Sequence, residues 1–144
     1  MNERMLRVLL AVLALAGAAI AGYLTYTHFE GTSPVCLTSG CEVVQNSRWS
    51  ELLGIPIALL GLLAYLSIFA STLARHPLAR MYAAAAALAA LGFNIYLLYI
   101  QAYEIGRYCT WCVSNEIVSA VLTPVAFAWL VVGSRADAEG TTTP

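Results

Sequence analysis

The sequence predicts an all-α membrane protein, a four-transmembrane-helix bundle, and two observations lead to this fold class. The 144-residue chain is 60% hydrophobic and only 10% charged, whereas a typical soluble domain is roughly 45–50% apolar and about 25% charged. The few charged residues also leave four uncharged windows, each about as long as a membrane-spanning helix. This composition argues against a soluble enzyme or a disordered chain. The net charge of −1 provides no basic surface for nucleic acid.

The uncharged windows define the predicted helices. Asp, Glu, Lys and Arg are absent from residues 8–29, 52–74, 81–103 and 117–134. A helix needs about 20 apolar residues to cross the hydrocarbon core, and a charge at its centre costs about 2.5–3.5 kcal/mol. We therefore predict helices near residues 6–28, 54–74, 79–104 and 110–133.

Two segments lie outside these helices. Residues 1–133 are predicted to form the membrane domain, and the polar residues 134–144 a disordered tail. The connection between the first two helices has about 26 residues, which is too long for a simple turn. Its second half, VVQNSRWSELLG, has amphipathic spacing and predicts a short helix on the mouth of the bundle.

The arginines predict the orientation of the chain in the membrane. One side of the bundle carries five of them: Arg4, Arg7, Arg75, Arg80 and Arg135. Arg48 and Arg107 fall on the other side. The positive-inside rule then places both termini in the cytoplasm and the long loop outside it, as in a multi-pass protein of the inner (plasma) membrane. A cleaved signal peptide is the alternative for the first window, and it leaves the loop on the same side.

The four cysteines form two close pairs on the extracytoplasmic side, where disulfides persist. Cys36 and Cys41 lie in the long loop as CLTSGC, and Cys109 and Cys112 open the fourth helix as CTWC. A redox relay, structural disulfides and a four-cysteine metal site are all possible. Disulfides that close such short loops stabilise a fold by about 2 kcal/mol, against about 4.5 kcal/mol for a crosslink between the two pairs. The spacing therefore favours redox chemistry.

The position of each pair predicts its reaction partner. The helix dipole favours a thiolate at Cys109, the first residue of CTWC. Cys112 lies one turn further on, nearer the apolar bundle, so its partner must be lipophilic. A quinone fits because it takes two electrons and two protons from a dithiol. The loop pair faces water and can meet a protein thiol, and mixed disulfides connect the pairs if the loop brings Cys41 to Cys109.

The chain resembles the vitamin K epoxide reductase family, in particular its bacterial homologues. The resemblance covers nearly the whole chain: four helices, a loop cysteine pair, CEVVQNSRW (41–49), GIPIALLG (54–61) and CTWC (109–112). The combination of a cysteine followed six residues later by Ser-Arg-Trp, with a distant C-x-x-C, is more specific than C-x-x-C alone.

The resemblance implies a catalytic role for all four cysteines. Cys36 would exchange with a separate thioredoxin-like (DsbA-like) protein, Cys41 would attack Cys109, and Cys112 would donate to a quinone, menaquinone or ubiquinone. No metal is expected. The candidate quinone-binding residues are Val44, Gln45, Ser47, Trp49, Ile57, Leu97 and Glu116. The alternatives are an unrelated DsbB-like quinone-linked oxidase and a non-catalytic membrane protein with structural disulfides.

Two positions depart from the family pattern. Vertebrate members carry a tyrosine where this chain has Glu116, and a polar residue of their second helix falls near Ile57. Both changes argue against epoxide reduction as the physiological reaction. Glu116 shares a helix face with Cys112, so it is a candidate for proton exchange with a reduced quinone; an interfacial carboxylate is the alternative. Asn94 and Gln101 are candidates for hydrogen bonds between helices or for contact with quinone.

Overall fold

The computed structural model describes residues 2–32, 35, 43, 48 and 51–142. Its elements, in chain order, are α1 (Glu3–Glu30), β1 (Glu51–Leu52), β2 (Ile55–Pro56), α2 (Ile57–Leu73), α3 (Pro77–Tyr99) with a π-helical continuation (Ile100–Ile105), and α4 (Thr110–Thr142). In this part of the chain, three helices are long and apolar enough to span a membrane, and α2 is a shorter apolar helix of 17 residues. The prediction of an all-α membrane protein with four helices is confirmed.

Local signals in the sequence determine where the helices begin and end. The Asn2 side chain accepts a hydrogen bond from the Met5 N–H at 3.0 Å and so caps α1. His76 caps α3 in the same way through the Leu78 N–H at 3.1 Å, and Pro77 occupies the first helical position. Gly31 ends α1 at φ 69°, a conformation that glycine adopts without strain.

The four helices pack in a ring, in which α1 contacts α2 and α4, and α3 contacts α2 and α4. Small residues allow close approach, which matters because lipid supplies no hydrophobic force between helices. Gly17 of α1 is the clearest case, since a Cβ at this position would overlap the buried ring of Tyr65 on α2. The core between the helices includes Leu10, Ile68 and Trp129.

A buried arginine joins three helices at one end of the bundle. Arg80 near the start of α3 is 5% exposed. Its guanidinium group pairs with Glu3 of α1, at 3.3 Å between Nη1 and Oε1, and with Asp137 of α4. These contacts place the α2–α3 turn and the described ends of the chain at the same end of the bundle. The CTWC motif lies at the opposite end, where α4 begins.

The structure differs from the sequence prediction between the first two helices. The amphipathic spacing predicts that residues 51–54 end a helix, but β1 and β2 form a small antiparallel hairpin that pairs Glu51 with Pro56. Leu53 and Gly54 turn the chain at positive φ, and the Leu53 side chain is 96% exposed. The helical prediction is therefore wrong for these residues, and α2 begins at Ile57 instead of residue 54. Most of the predicted loop helix lies outside the described residues.

The structure also differs at the C-terminal end of the chain. The prediction ends the fourth helix at residue 133 and makes the rest a disordered tail, whereas α4 continues to Thr142. Alanine, arginine and glutamate are good helix formers, and they are frequent in residues 134–140. The ion pair between Asp137 and Arg80 anchors this extension to the bundle.

Candidate functional site

A cavity of about 350 Å³ lies among the four helices, towards the end of the bundle that carries CTWC. This volume is within the range of small-molecule sites. Its walls are mostly apolar, and all four helices contribute to them. The apolar lining comes from α1, β1, α2 and α3 with its π-helical continuation: Ala21, Leu24, Leu52, Ile57, Ala58, Leu60, Gly61, Ala64, Ile68, Ala90, Phe93, Leu97, Ile100 and Ile105. Six further lining residues carry polar groups or sulfur: Tyr65, Asn94, Gln101, Cys112, Asn115 and Glu116. The cavity therefore suits a lipophilic ligand with a few polar atoms.

The two cysteines of CTWC have different surroundings. Cys109 directly precedes α4 and is fully buried, at 0% exposure. Its sulfur accepts a hydrogen bond from the Cys112 N–H at 3.4 Å, and its carbonyl accepts one from the Val113 N–H at 2.9 Å. The first turn of α4 thus places an N–H donor on this sulfur, at the end of the helix that favours negative charge. Cys112 is half-buried and lines the cavity.

Gln101 connects the CTWC motif to the polar wall of the cavity. Its side chain is buried in the π-helical segment, a type of structure that often occurs at functional sites. Its Oε1 accepts a hydrogen bond from the Cys109 N–H at 3.0 Å. Its Nε2 donates to Glu116 Oε1 at 2.8 Å. One amide therefore fixes the orientation of the Glu116 carboxyl group and the backbone of the first cysteine.

Two buried oxygen atoms on this wall accept no hydrogen bond from the residues that the structure describes. They are Oε2 of Glu116 and Oδ1 of Asn115. The other polar atoms of Asn115 on this wall are paired: its side-chain Nδ2 donates to Asn94 Oδ1 at 3.4 Å, and its backbone carbonyl accepts from the Tyr65 hydroxyl at 3.4 Å. A buried acceptor without a donor costs about 1–3 kcal/mol. The polar wall therefore retains two hydrogen-bond acceptors that no described donor satisfies.

The structure brings some of the predicted site residues together. Cys112, Ile57, Leu97 and Glu116 all line the cavity, and Cys109 lies behind its polar wall. The remaining predictions lie outside the described residues: Cys36, Cys41, Val44, Gln45, Ser47 and Trp49. Within the described ranges no group of three or more His, Cys, Asp or Glu side chains is arranged to hold a metal ion.

Sequence reasoning missed Tyr65, and it considered Asn94 and Gln101 either for hydrogen bonds between helices or for contact with quinone. Tyr65 lies within a continuous apolar run, where a tyrosine resembles any other core residue. The asparagine and glutamine are predicted partners of other helices. That prediction agrees with the bonds from Gln101 to Glu116 and from Asn115 to Asn94.

The Vitamin K epoxide reductase family model matches residues 8–127, which is more than four fifths of the chain. The match includes the CTWC motif and every residue that lines the cavity. This is a family of membrane thiol–disulfide oxidoreductases linked to quinone. The architecture agrees with it, since apolar helices enclose a cavity with a cysteine in its wall. The chain therefore belongs to the vitamin K epoxide reductase family.

Proposed function

We propose that the chain passes electrons from a thioredoxin-like (DsbA-like) partner, through Cys36/Cys41 and then Cys109/Cys112, to a lipid quinone. The acceptor is menaquinone or ubiquinone, and the net result is disulfide formation outside the cytoplasm. The observation that carries this proposal is the position of Cys112 in the wall of an apolar cavity, with Cys109 sealed behind it. An acceptor for Cys112 in such a cavity has to be lipophilic.

The relay consists of thiol–disulfide exchanges, in which two electrons move from one cysteine pair to the next. They leave the cysteines for quinone only in the last step. The partner's dithiol reduces the Cys36–Cys41 disulfide and becomes a disulfide itself. The Cys41 thiolate then attacks Cys109, a Cys41–Cys109 bond forms, and Cys112 leaves as a thiolate. Cys36 attacks Cys41 in turn, which restores the loop disulfide and leaves Cys109 and Cys112 as the reduced pair.

The last step oxidises the reduced Cys109/Cys112 pair to its disulfide. A bound quinone supplies an acceptor for two electrons and two protons. Glu116 follows Cys112 by four residues, so the two side chains share one face of α4. Its Oε1 is held by Gln101 at 2.8 Å, and its Oε2 is buried without a partner among the described residues. We assign Glu116 the role of holding and passing a proton at Oε2, where vertebrate members of the family have a tyrosine.

The orientation of the chain belongs to the same proposal. Both termini lie on the cytoplasmic side of the inner membrane, and all four cysteines lie outside the cytoplasm. Two observations support this. The α2–α3 turn, the start of α1 and the C-terminal part of α4 meet at Arg80. Five of the seven arginines lie in or beside these three segments, which the positive-inside rule places in the cytoplasm. A membrane-impermeant maleimide should therefore label a single cysteine introduced at the exposed Glu104 (Glu104→Cys in a chain without its other cysteines) only from the extracytoplasmic side.

A reconstituted assay tests the electron route. The purified chain, in nanodiscs with ubiquinone or menaquinone, should oxidise a reduced thioredoxin-like protein, and Cys112→Ala should abolish quinone reduction. Ser114→Ala is a suitable control, because its hydroxyl group donates to the Thr110 carbonyl within the same helix. Unchanged activity in Cys112→Ala would contradict the relay. Resistance of both cysteine pairs to mild reductant would favour structural disulfides instead.

A further inference from the structure

The backbone of Val35 is held by two side chains from different helices. The Val35 N–H donates to the Tyr23 hydroxyl group on α1 at 2.9 Å. The Val35 carbonyl accepts from the indole N–H of Trp111 on α4. The two aromatic rings also contact each other, with centroids 4.9 Å apart and planes tilted by 49°. One peptide segment of the long loop is thus connected to both helices through its donor and its acceptor.

This contact does not result from burial of an apolar side chain. The Val35 side chain is 78% exposed, so its transfer from water contributes little. Both backbone groups of an exposed residue can bond to water without cost. The hydrogen bonds to Tyr23 and Trp111 therefore fix the position of this segment, and do so independently of the side chain at residue 35.

Tyr23 and Trp111 form a clamp on the backbone of Val35, and this clamp joins a residue beside the loop cysteines to a residue of CTWC. Val35 directly precedes Cys36, the first cysteine of the loop, and Trp111 lies between Cys109 and Cys112. The hydrogen bond from Trp111 to Val35 therefore attaches the residue that precedes Cys36 to the middle of CTWC. Tyr23 adds a second restraint from α1, the helix that leads into the loop.

We propose that Tyr23 and Trp111 are positioning residues that hold the loop cysteines near CTWC and raise the rate of exchange between the pairs. The inference rests on the proposed function, in which Cys41 attacks Cys109. In that step the Cys109–Cys112 bond breaks, the Cys41–Cys109 bond forms, and Cys112 leaves as a thiolate. No other reactant is needed. The net contribution of one hydrogen bond corresponds to about a two- to tenfold change in an equilibrium constant.

The effective concentration of Cys41 at Cys109 measures this positioning directly. The full chain with Cys36→Ser and Cys112→Ser retains only the two cysteines of the exchange step. Equilibration with reduced and oxidised glutathione, followed by non-reducing peptide mapping, gives the fraction that forms the Cys41–Cys109 disulfide.

In this background, Tyr23→Phe and Trp111→Phe each remove one hydrogen bond and keep an aromatic ring. We expect each to lower the effective concentration about two- to tenfold, and the double variant to lower it further. Two controls should stay within twofold of the parent. Tyr26→Phe removes a hydroxyl group from a 63% exposed residue of the same helix, and Val35→Ala keeps the clamped backbone.

A second measurement separates positioning from a general loss of structure. Quinone reduction is driven by a thioredoxin-like protein in the chain with all four cysteines, and by a small dithiol in the chain that lacks the loop pair (Cys36→Ser with Cys41→Ser). Loss of the clamp should lower the first rate and leave the second unchanged, which lowers the ratio of the first rate to the second, whereas a folding defect would lower both rates equally. A ratio and an effective concentration within twofold of the parent in both Phe variants would overturn the proposal.

The outcomes also distinguish the clamp from the proposed function. If the wild-type chain reduces no quinone but the Phe variants lose effective concentration, the quinone relay is wrong and the clamp is supported. If quinone is reduced and the Phe variants change neither measurement, the relay is supported and the clamp is wrong. An equal loss in Tyr26→Phe would also overturn the clamp, since the effect would not be specific to Tyr23.

Discussion

Glu116→Gln provides the sharpest test of the chemistry in the cavity. The amide keeps the size and shape of the carboxyl group, and its oxygen can still accept the hydrogen bond that Gln101 donates at 2.8 Å. The change removes the capacity of the group to take up and release a proton. It also replaces the unpartnered Oε2 with a donor.

The expected magnitude follows from what a positioned acid or base contributes. General acid–base catalysis by a side chain typically accelerates a step by about 10²–10⁴-fold, which corresponds to about 2.7–5.4 kcal/mol at 1.36 kcal/mol per tenfold. Glu116 is half-buried beside apolar residues, so bulk water is a poor substitute. We therefore expect electron transfer from the reduced Cys109/Cys112 pair to quinone to slow by at least about 100-fold.

A single-turnover experiment isolates this step. Protein reduced beforehand is mixed with quinone in a stopped-flow instrument, and the decrease in quinone absorbance gives the rate. Glu104→Gln is the matched control, because it removes another carboxylate near the same end of the bundle, from an exposed residue that does not line the cavity. A Glu116→Gln rate within threefold of wild type would refute the proton role of this residue.

Two further variants test the structure around the site. Gln101→Leu should lower the free energy of unfolding by about 2–4 kcal/mol, because it leaves the buried N–H of Cys109 without an acceptor and removes a hydrogen bond to Glu116; equilibrium unfolding in detergent measures the loss. Gly17→Ala should cost about 1–3 kcal/mol, because the new Cβ would overlap the Tyr65 ring; the midpoint of thermal unfolding checks it.

Each variant has an outcome that would contradict its reasoning. Gly92→Ala is the control for the glycine, since no heavy atom lies within 4 Å of a Cβ at that exposed helical position. It should be neutral or stabilising by up to about 1 kcal/mol. Equal stability of Gly17→Ala and Gly92→Ala would contradict the close approach of α1 and α2. Wild-type stability of Gln101→Leu would mean that the two hydrogen bonds contribute little.

The sequence predicts most of the fold because charge is so rare in it. Glu30 and Arg75 mark helix ends that the structure places within two residues of them, since a charge inside the membrane is costly. Charged residues do not mark a helix boundary that is set by the backbone alone, and the start of α2 is such a boundary. Gly54 and Pro56 delay the start of α2 through local backbone geometry, and the amphipathic spacing of the preceding residues does not reveal this.

The site is less predictable than the helices because its contacts depend on packing. Cys112 and Glu116 share a face by simple helical spacing, and both line the cavity. The bond from Gln101 to the Cys109 backbone requires the π-helical end of α3 to meet the start of α4. No hydrophobic period or motif in the sequence predicts this contact between the two helix ends. Tyr65 was missed for a similar reason, since only the cavity distinguishes it from its apolar neighbours.

The buried Arg80 also determines how the bundle can deform. Its ion pairs fasten α1, α3 and α4 at one end, and Cys112 lies 25 residues before Asp137 on α4, or about 37 Å away along the helix axis. Pro124 lies between these two residues in the interior of α4, where it removes a backbone hydrogen bond and lets the helix bend. A bend of about 6° at Pro124 displaces Cys112, about 18 Å away along the axis, by about 2 Å. The cavity can thus widen at the cysteine end while the ion pairs at the base remain intact.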